Sequence, residues 1–271
     1  MKLFFISFIL LSLSSITAQE INFYGEAKEG GIIIGQGKNI VRAELNDTDL
    51  QVDKDGVFVF GFDRNSKGVY KLKVHFNNRK VETFEYNIEQ REYEEQRLTL
   101  ASKYVTPPKR VLEKINREAE LMKAARAKVG KLKTALFMSG FSFPVDNVEL
   151  SSVFGSQRIL NGKPSNVHNG LDFRGAAGDT IRAIADGIVR IAGNNFYYNG
   201  NFILLDHGQG LTSAYLHMSK IIAKDNQNVR KGEVIGLVGS TGRATGPHLH
   251  LGVQWFKKRI DPMILFSIKL K

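Results

Sequence analysis

Alternation of apolar and polar positions dominates the first third of the chain. Residues 70–76 set Tyr70, Leu72, Val74 and Phe76 on one side and Lys71, Lys73 and His75 on the other, the period of two that a half-buried strand requires. Further apolar runs at residues 31–34, 41–45, 57–62 and 81–86 are separated by turn-forming residues such as Asp53, Asp55, Gly56, Asn77 and Asn78. Together they predict a small β-sandwich-like domain over residues 19–103, with His75 on an exposed strand face. Its last part, residues 90–103, reads as a charged connector.

The period changes after Pro107-Pro108, two residues that cannot donate to a ladder or a helix. Val111, Ile115, Met122, Ala125, Val129 and Leu132 recur at helical spacing, while Arg110, Glu113, Lys114, Arg117, Glu118 and Lys123 fill the other face. This predicts a helix over residues 109–136 inside a linker of residues 104–140, packed by one stripe and solvated elsewhere. From residue 141 to 271 strands return, at 181–189, 202–208, 213–217 and 234–239, separated by Gly-rich turns and with no long helix. The whole chain is therefore expected to be mainly β, with its second domain an antiparallel sheet.

Composition adds a compartment. Met1-Lys2, an apolar run from Leu3 to Leu13 and the small residues leading to Ala18 have the layout of a secretory signal, so residues 1–18 are expected to be removed after Ala18. The run is shorter than the roughly 18 apolar residues of a spanning helix, and stable membrane insertion is not expected. A formal net charge of +11 favours polyanionic partners, namely nucleic acid, anionic lipid or carboxylate-rich cell wall. Export argues against nucleic acid and for wall polymer. The absence of cysteine removes thiolate metal sites, disulfides and a lipid-modified cysteine.

The chemistry gathers in the last third. His168, Asp172, His217, His248 and His250 occupy short, mostly Gly-flanked segments, and imidazole and carboxylate are the ligands of catalytic zinc, which keeps a fourth position open for water. His248 and His250, two apart, share a face if they lie on a strand; His168 and Asp172, four apart, share a side in either backbone. Gly170 between that second pair leaves room for close approach.

His168-Asn169-Gly170-Leu171-Asp172 and His248-Leu249-His250, with Ser152-Val153-Phe154-Gly155, Ala185-Asp186-Gly187, Tyr215-Leu216-His217-Met218-Ser219 and the run from Ser240 to Pro247, resemble the M23 family of zinc metallopeptidases, the lysostaphin-like cell-wall endopeptidases. The resemblance covers most of residues 143–262, and residues 91–105 and the segment after Pro107-Pro108 also resemble the N-terminal part of an exported proteobacterial-type subgroup of that family. It implies that His168, Asp172 and His250 bind Zn2+ and that His217 and His248 are catalytic histidines outside the ligand set. It also implies an exported, periplasmic enzyme acting on amide bonds of peptidoglycan stem peptides or cross-links. A wall-binding activator of another hydrolase and an exported protease acting on proteins are the rival readings.

Around that site, residues 158–165 and 194–200 are expected to wall a groove, with Arg158 and Lys163 placed to pair with substrate carboxylates. His207, at a strand end before a turn, is expected to bond backbone groups rather than to react. The N-terminal domain has three readings: it binds wall polymer, binds a regulatory protein, or covers the groove.

Overall fold

A computed structural model describes residues 21–99 and 107–270 of the chain. The expected signal segment, residues 1–18, lies outside the described residues. The N-terminal part holds β1 (Ile21–Gly25), β2 (Ile32–Gly37), β3 (Ile40–Leu45), β4 (Thr48–Leu50), β5 (Val57–Gly61), β6 (Val69–Phe76), β7 (Val81–Asn87) and β8 (Glu95–Leu98), followed by helix α1 (Lys109–Arg126). The C-terminal part holds β9 (Leu150–Ser152), β10 (Gln157–Leu160), β11 (Lys163–Pro164), β12 (Leu171–Arg174), β13 (Thr180–Arg182), β14 (Gly187–Phe196), β15 (Gly200–Asp206) and β16 (Leu211–Met218). It continues with β17 (Lys220–Ile221), β18 (Asn228–Val229), β19 (Val234–Leu237), β20 (His248–Trp255), β21 (Lys258–Ile260) and the short helix α2 (Pro262–Ser267).

Two sheets make the N-terminal sandwich, one in the order β1-β2-β5 and the other β4-β3-β6-β7. Ile33, Phe58 and Phe60 from the first meet Ala43, Leu45, Leu72, Val74 and Phe76 from the second in one core. The period read in residues 70–76 is therefore real: Leu72, Val74 and Phe76 point inward. His75 corrects the expectation of a bare exposed position. It is half-buried and its Nε2 lies 2.5 Å from Glu44 Oε1, because β3 pairs with β6 at this point.

The β1-β2-β5 sheet is covered on both faces. Ile32, Ile34, Val57 and Val59, whose side chains point away from the sandwich, join the core of the C-terminal part. This explains why β5 is apolar at every position rather than alternating. A sheet shared between two cores leaves little freedom for one part to swing on the other.

Helix α1 stops at Arg126, ten residues short of the expected 136. Val129 and Leu132 continued the helical spacing, but tertiary hydrogen bonds win over it: the Leu132 carbonyl accepts from the Gln209 backbone and the Lys133 carbonyl from the Gln209 side chain. Among the described residues no helix is long and apolar enough to cross a membrane.

The main sheet of the C-terminal part runs β18-β14-β15-β16-β20-β12-β9, with β21 added at the end of β20. All its pairings are antiparallel. One strand of the connector departs from the N-terminal sheets: β8 pairs in parallel with β10, matching Gln96 to Arg158 and Leu98 to Leu160. Tyr93, just before it, sits against Gly155, where a Cβ would come within 2.0 Å of the Tyr93 ring. The Arg64 guanidinium stacks on that ring at 4.1 Å.

Candidate metal centre and its groove

Strand register does most of the assembly. Asp172 on β12 lies directly opposite His250 on β20, so their side chains rise from the same face of the sheet. His248, two residues before His250, shares that face. His168 precedes β12 and is fixed at both backbone ends: its N–H donates to the Ser156 carbonyl and its own carbonyl accepts from Gly155, each at 2.8 Å. Gly170 between His168 and Asp172 is required by contact, since a Cβ there would lie 2.3 Å from the Leu251 carbonyl oxygen and 2.9 Å from the His250 ring.

Three donor atoms converge. His168 Nε2 is 3.1 Å from both Asp172 Oδ1 and His250 Nδ1, and His250 Nδ1 is 2.7 Å from Asp172 Oδ1. Tetrahedral zinc with bonds of about 2.0–2.2 Å to such atoms sets its ligands roughly 3.3 Å apart. The spacing and the donor set, two imidazole nitrogens and one carboxylate oxygen, fit a zinc ion.

The protonation states fit as well. The other nitrogen of His168, Nδ1, lies 2.9 Å from the Val153 carbonyl oxygen and 2.8 Å from Ser152 Oγ, which places the proton on Nδ1 and leaves a lone pair on Nε2. Burial, the largest influence on Asp172, acts to raise its pKa. Hydrogen bonds and charge from His168 and His250 outweigh it and hold the carboxyl well below the ordinary range. Burial pushes His250 down, against the hydrogen bond and charge of Asp172, which act to raise it.

His217 reaches the site by breaking the strand pattern. Its neighbour Leu216 pairs with His250, and strict alternation would turn His217 away toward the core that holds Tyr215. Instead His217 adopts φ +67°, a left-handed conformation that is costly for a residue with a Cβ, and it lines the same groove as Leu216. Three contacts hold it there: the His217 N–H donates to Asn199, its carbonyl accepts from the Thr241 N–H, and Nδ1 lies 2.8 Å from the Thr241 carbonyl. Burial first, then the neighbouring His250 and His248, push its pKa down to about 3. His248 uses Nδ1 in the same way, on the Gly246 carbonyl at 2.8 Å. Both rings thus offer Nε2, and their centroids stand 4.9 Å apart.

The groove around these five residues has a volume of about 520 Å3. Both expected walls contribute, through Arg158, Leu160 and Ser165 on one side and Tyr198 and Asn199 on the other. The first wall is a hairpin of β10 and β11 rather than a loop, turning at Asn161-Gly162. Lys163 lies on it but outside the groove.

Arg158 is a correction. Its Nη2 donates to Asp172 Oδ2 at 2.8 Å, so it braces a candidate ligand instead of waiting for a substrate carboxylate. Arg243, stacked 4.8 Å over the Tyr198 ring, also lines the groove and has no carboxylate partner among the described residues. His207 is buried, with Nδ1 2.7 Å from the Asp186 carbonyl and Nε2 2.7 Å from Ser213 Oγ, far in role from the metal donors.

Sequence reasoning passed over Ser152, Thr241 and Gln96 as contributors. The first two lie inside the quoted runs, and a hydroxyl at Ser152 or a carbonyl at Thr241 becomes informative only once its histidine partner is known. Gln96 carried no signal of its own.

The sequence model of Peptidase family M23 matches residues 166–262. Peptidoglycan DD-endopeptidase ShyA of Vibrio cholerae is 42% identical over 110 residues, which are 40% of this chain and 25% of that protein. DD-carboxypeptidase/endopeptidase Mpg of Neisseria meningitidis is 37% identical over 125 residues, 46% of this chain and 29% of that protein. The match therefore spans a quarter to three tenths of these relatives' length. A crystal structure of a peptidase M23 from Pseudomonas aeruginosa, 30% identical, superposes with a TM-score of 0.64 over 89% of this chain and 96% of that one. A likeness that runs through both parts of the fold, joined to the matched residues 166–262, makes this chain a member of peptidase family M23.

Proposed function

We propose that the chain is an exported zinc-dependent endopeptidase that hydrolyses amide bonds in peptidoglycan stem peptides or cross-links. The observation that carries this is the convergence of His168, Asp172 and His250 donors to within 3.1 Å at the side of a groove that two further histidines line. His168 Nε2, Asp172 Oδ1 and His250 Nδ1 would hold the ion. Bound zinc supplies a Lewis acid for the scissile carbonyl and a water of lowered pKa.

The protein's own residues supply proton transfer and orientation. His217 and His248 keep their Nδ1 protons on the Thr241 and Gly246 carbonyls, which leaves each Nε2 as an acceptor facing the groove. One takes a proton from the attacking water and returns it to the departing amine; once protonated it donates to the negative oxygen of the tetrahedral species. Arg243 receives a substrate carboxylate, in keeping with the net charge of +11 and an anionic wall polymer.

The names of the Vibrio and Neisseria relatives make the D,D cross-link the first bond to assay. The test is mass spectrometry of products after incubating the protein with purified cross-linked peptidoglycan, with and without a zinc chelator. Chelator-sensitive conversion of dimeric to monomeric muropeptides is the expected result. Intact dimers in the presence of stoichiometric zinc would overturn it.

A further inference from the structure

The connector strand β8 has a side chain that touches the supports of two candidate ligands at once. Gln96 Oε1 accepts from Ser152 Oγ at 2.9 Å and from Arg158 Nε at 3.2 Å. Ser152 Oγ is in turn 2.8 Å from His168 Nδ1, and Arg158 Nη2 is 2.8 Å from Asp172 Oδ2. One amide oxygen thus stands behind both His168 and Asp172.

The donor inventory makes the arrangement directional. An amide oxygen can only accept, so the single Ser152 hydroxyl proton points to Gln96 and the Ser152 lone pairs face His168 Nδ1. The Nδ1 proton is then shared between Ser152 Oγ and the Val153 carbonyl, and Nε2 is kept for a metal. On the other branch the planar guanidinium spends Nε on Gln96 and Nη2 on Asp172, which fixes its rotation and so the angle of the carboxylate. Turning the amide over would set its NH2 against the Arg158 Nε–H, which can only donate, so Oε1 is the atom that belongs there.

The backbone delivers Gln96 with little freedom. Parallel pairing matches it to Arg158, and the ladder is closed by Gln157 N–H to the Glu94 carbonyl at 2.8 Å and Asn161 N–H to the Leu98 carbonyl at 3.0 Å. Upstream, Arg91 Nη1 pairs with Asp261 Oδ2 at 2.9 Å and Tyr93 fills the space left by Gly155.

We infer that Gln96, carried by the N-terminal connector, is a positioning residue of the metal centre, and that the centre is complete only when β8 is added to β10. The inference rests on the zinc reading above. Outer hydrogen-bond partners of metal ligands typically change affinity 10–100-fold. Because Val153 backs up one branch, loss of Gln96 is expected near the lower end, about tenfold.

The test uses the full mature chain. Zinc affinity is measured by competition with a chromophoric chelator, alongside kcat and KM on a cross-linked muropeptide and the Tm of the metal-free protein. Gln96→Leu, of similar size but without an acceptor, is expected to weaken zinc binding about tenfold and lower kcat, with KM and metal-free Tm near wild type. Gln96→Glu restores both acceptor contacts and is expected to recover affinity to within about threefold of wild type, a rescue that a purely structural role would not give. Should Gln96→Leu fail to fold, Gln96→Asn, which withdraws the oxygen by one methylene, carries the same test.

Wild-type zinc affinity in a folded Gln96→Leu or Gln96→Asn protein would overturn the inference, as would a Gln96→Glu protein no better than Gln96→Leu. A wild-type chain that binds no zinc would instead remove the metal reading itself, so the two failures are distinguishable.

Discussion

Arg158 and Asp172 are joined by a 2.8 Å bond between Nη2 and Oδ2, while the other oxygen of Asp172 faces His168 and His250. The carboxylate is therefore divided between a brace and a side that faces the two histidines. Replacing Arg158 by Ala should cut zinc affinity about 10–100-fold and lower kcat, leaving KM near wild type at saturating metal. Arg158→Lys should recover only part, because a point charge lacks the fork that meets Gln96 and Asp172 together. Chelator competition and steady-state kinetics on one substrate check this; a raised KM with unchanged zinc affinity would return Arg158 to substrate binding.

His217 and His250 make a second contrast. The His217 ring lies 6.3 Å from that of His250 and contributes no atom to the donor cluster, yet its left-handed backbone is held from both sides. His217→Ala should bind zinc as wild type and lose turnover by about 10²–10⁴-fold, the usual range for a general acid or base. Metal content by elemental analysis and kcat on a muropeptide dimer measure the two effects separately. Loss of zinc with loss of activity would make His217 part of the ligand set instead.

These two residues also mark where sequence could be read and where it could not. The facing of His248 and His250 followed from a period of two, and the register of β12 and β20, which sets Asp172 against His250 and Arg174 against His248, agrees with it. His217 violates that same period through one dihedral angle, and no local pattern announces a positive φ at a residue with a Cβ. Arg158 was legible as a cation in the groove but not as a brace, because its partner lies fourteen residues on. The β8–β10 pairing is parallel, joins segments about sixty residues apart and places two polar residues before the apolar end of β10, so neither alternation nor turn chemistry points to it. The helix end was misplaced because its stripe continued into residues whose carbonyls serve Gln209.

The sheet shared by two cores predicts joint unfolding. Trp255, the single tryptophan of the chain, packs against both cores and donates its indole N–H to the Gln209 carbonyl at 3.1 Å. Its fluorescence reports the junction. Chemical denaturation followed by Trp255 emission and by far-UV circular dichroism should give one coincident transition. Ile34→Ala, which empties a fully buried position on the junction face of β2, should move both signals together by about 2–5 kcal/mol. Separate transitions, or a shift in one probe alone, would show that the N-terminal sandwich unfolds independently.

His207 offers a prediction in pH that does not involve the metal donors. It is buried, Nδ1 bonds the Asp186 carbonyl, and Nε2 meets Ser213, whose hydroxyl lies 3.0 Å from the Tyr215 hydroxyl. The Tyr215 hydroxyl in turn accepts from the Ile184 N–H at 2.9 Å. Burial is the main reason its pKa is lowered in the folded state, against smaller opposing effects of Asp186 and Asp206. Unfolded, the imidazole titrates near its ordinary value of about 6.5. Below that pH the unfolded chain binds a proton that the folded one refuses, so the unfolded state gains. Stability is thus full above about pH 6.5 and falls as the pH drops from there toward the folded pKa, by at most about 1.4 kcal/mol per unit for this one group. His207→Gln, which keeps an amide donor and acceptor but does not titrate, should start less stable at pH 7.5 and lose less on going to pH 5.5. Urea denaturation of the two proteins at both pH values decides it: equal losses would mean that His207 carries its proton in the fold or contributes nothing to the acid limb.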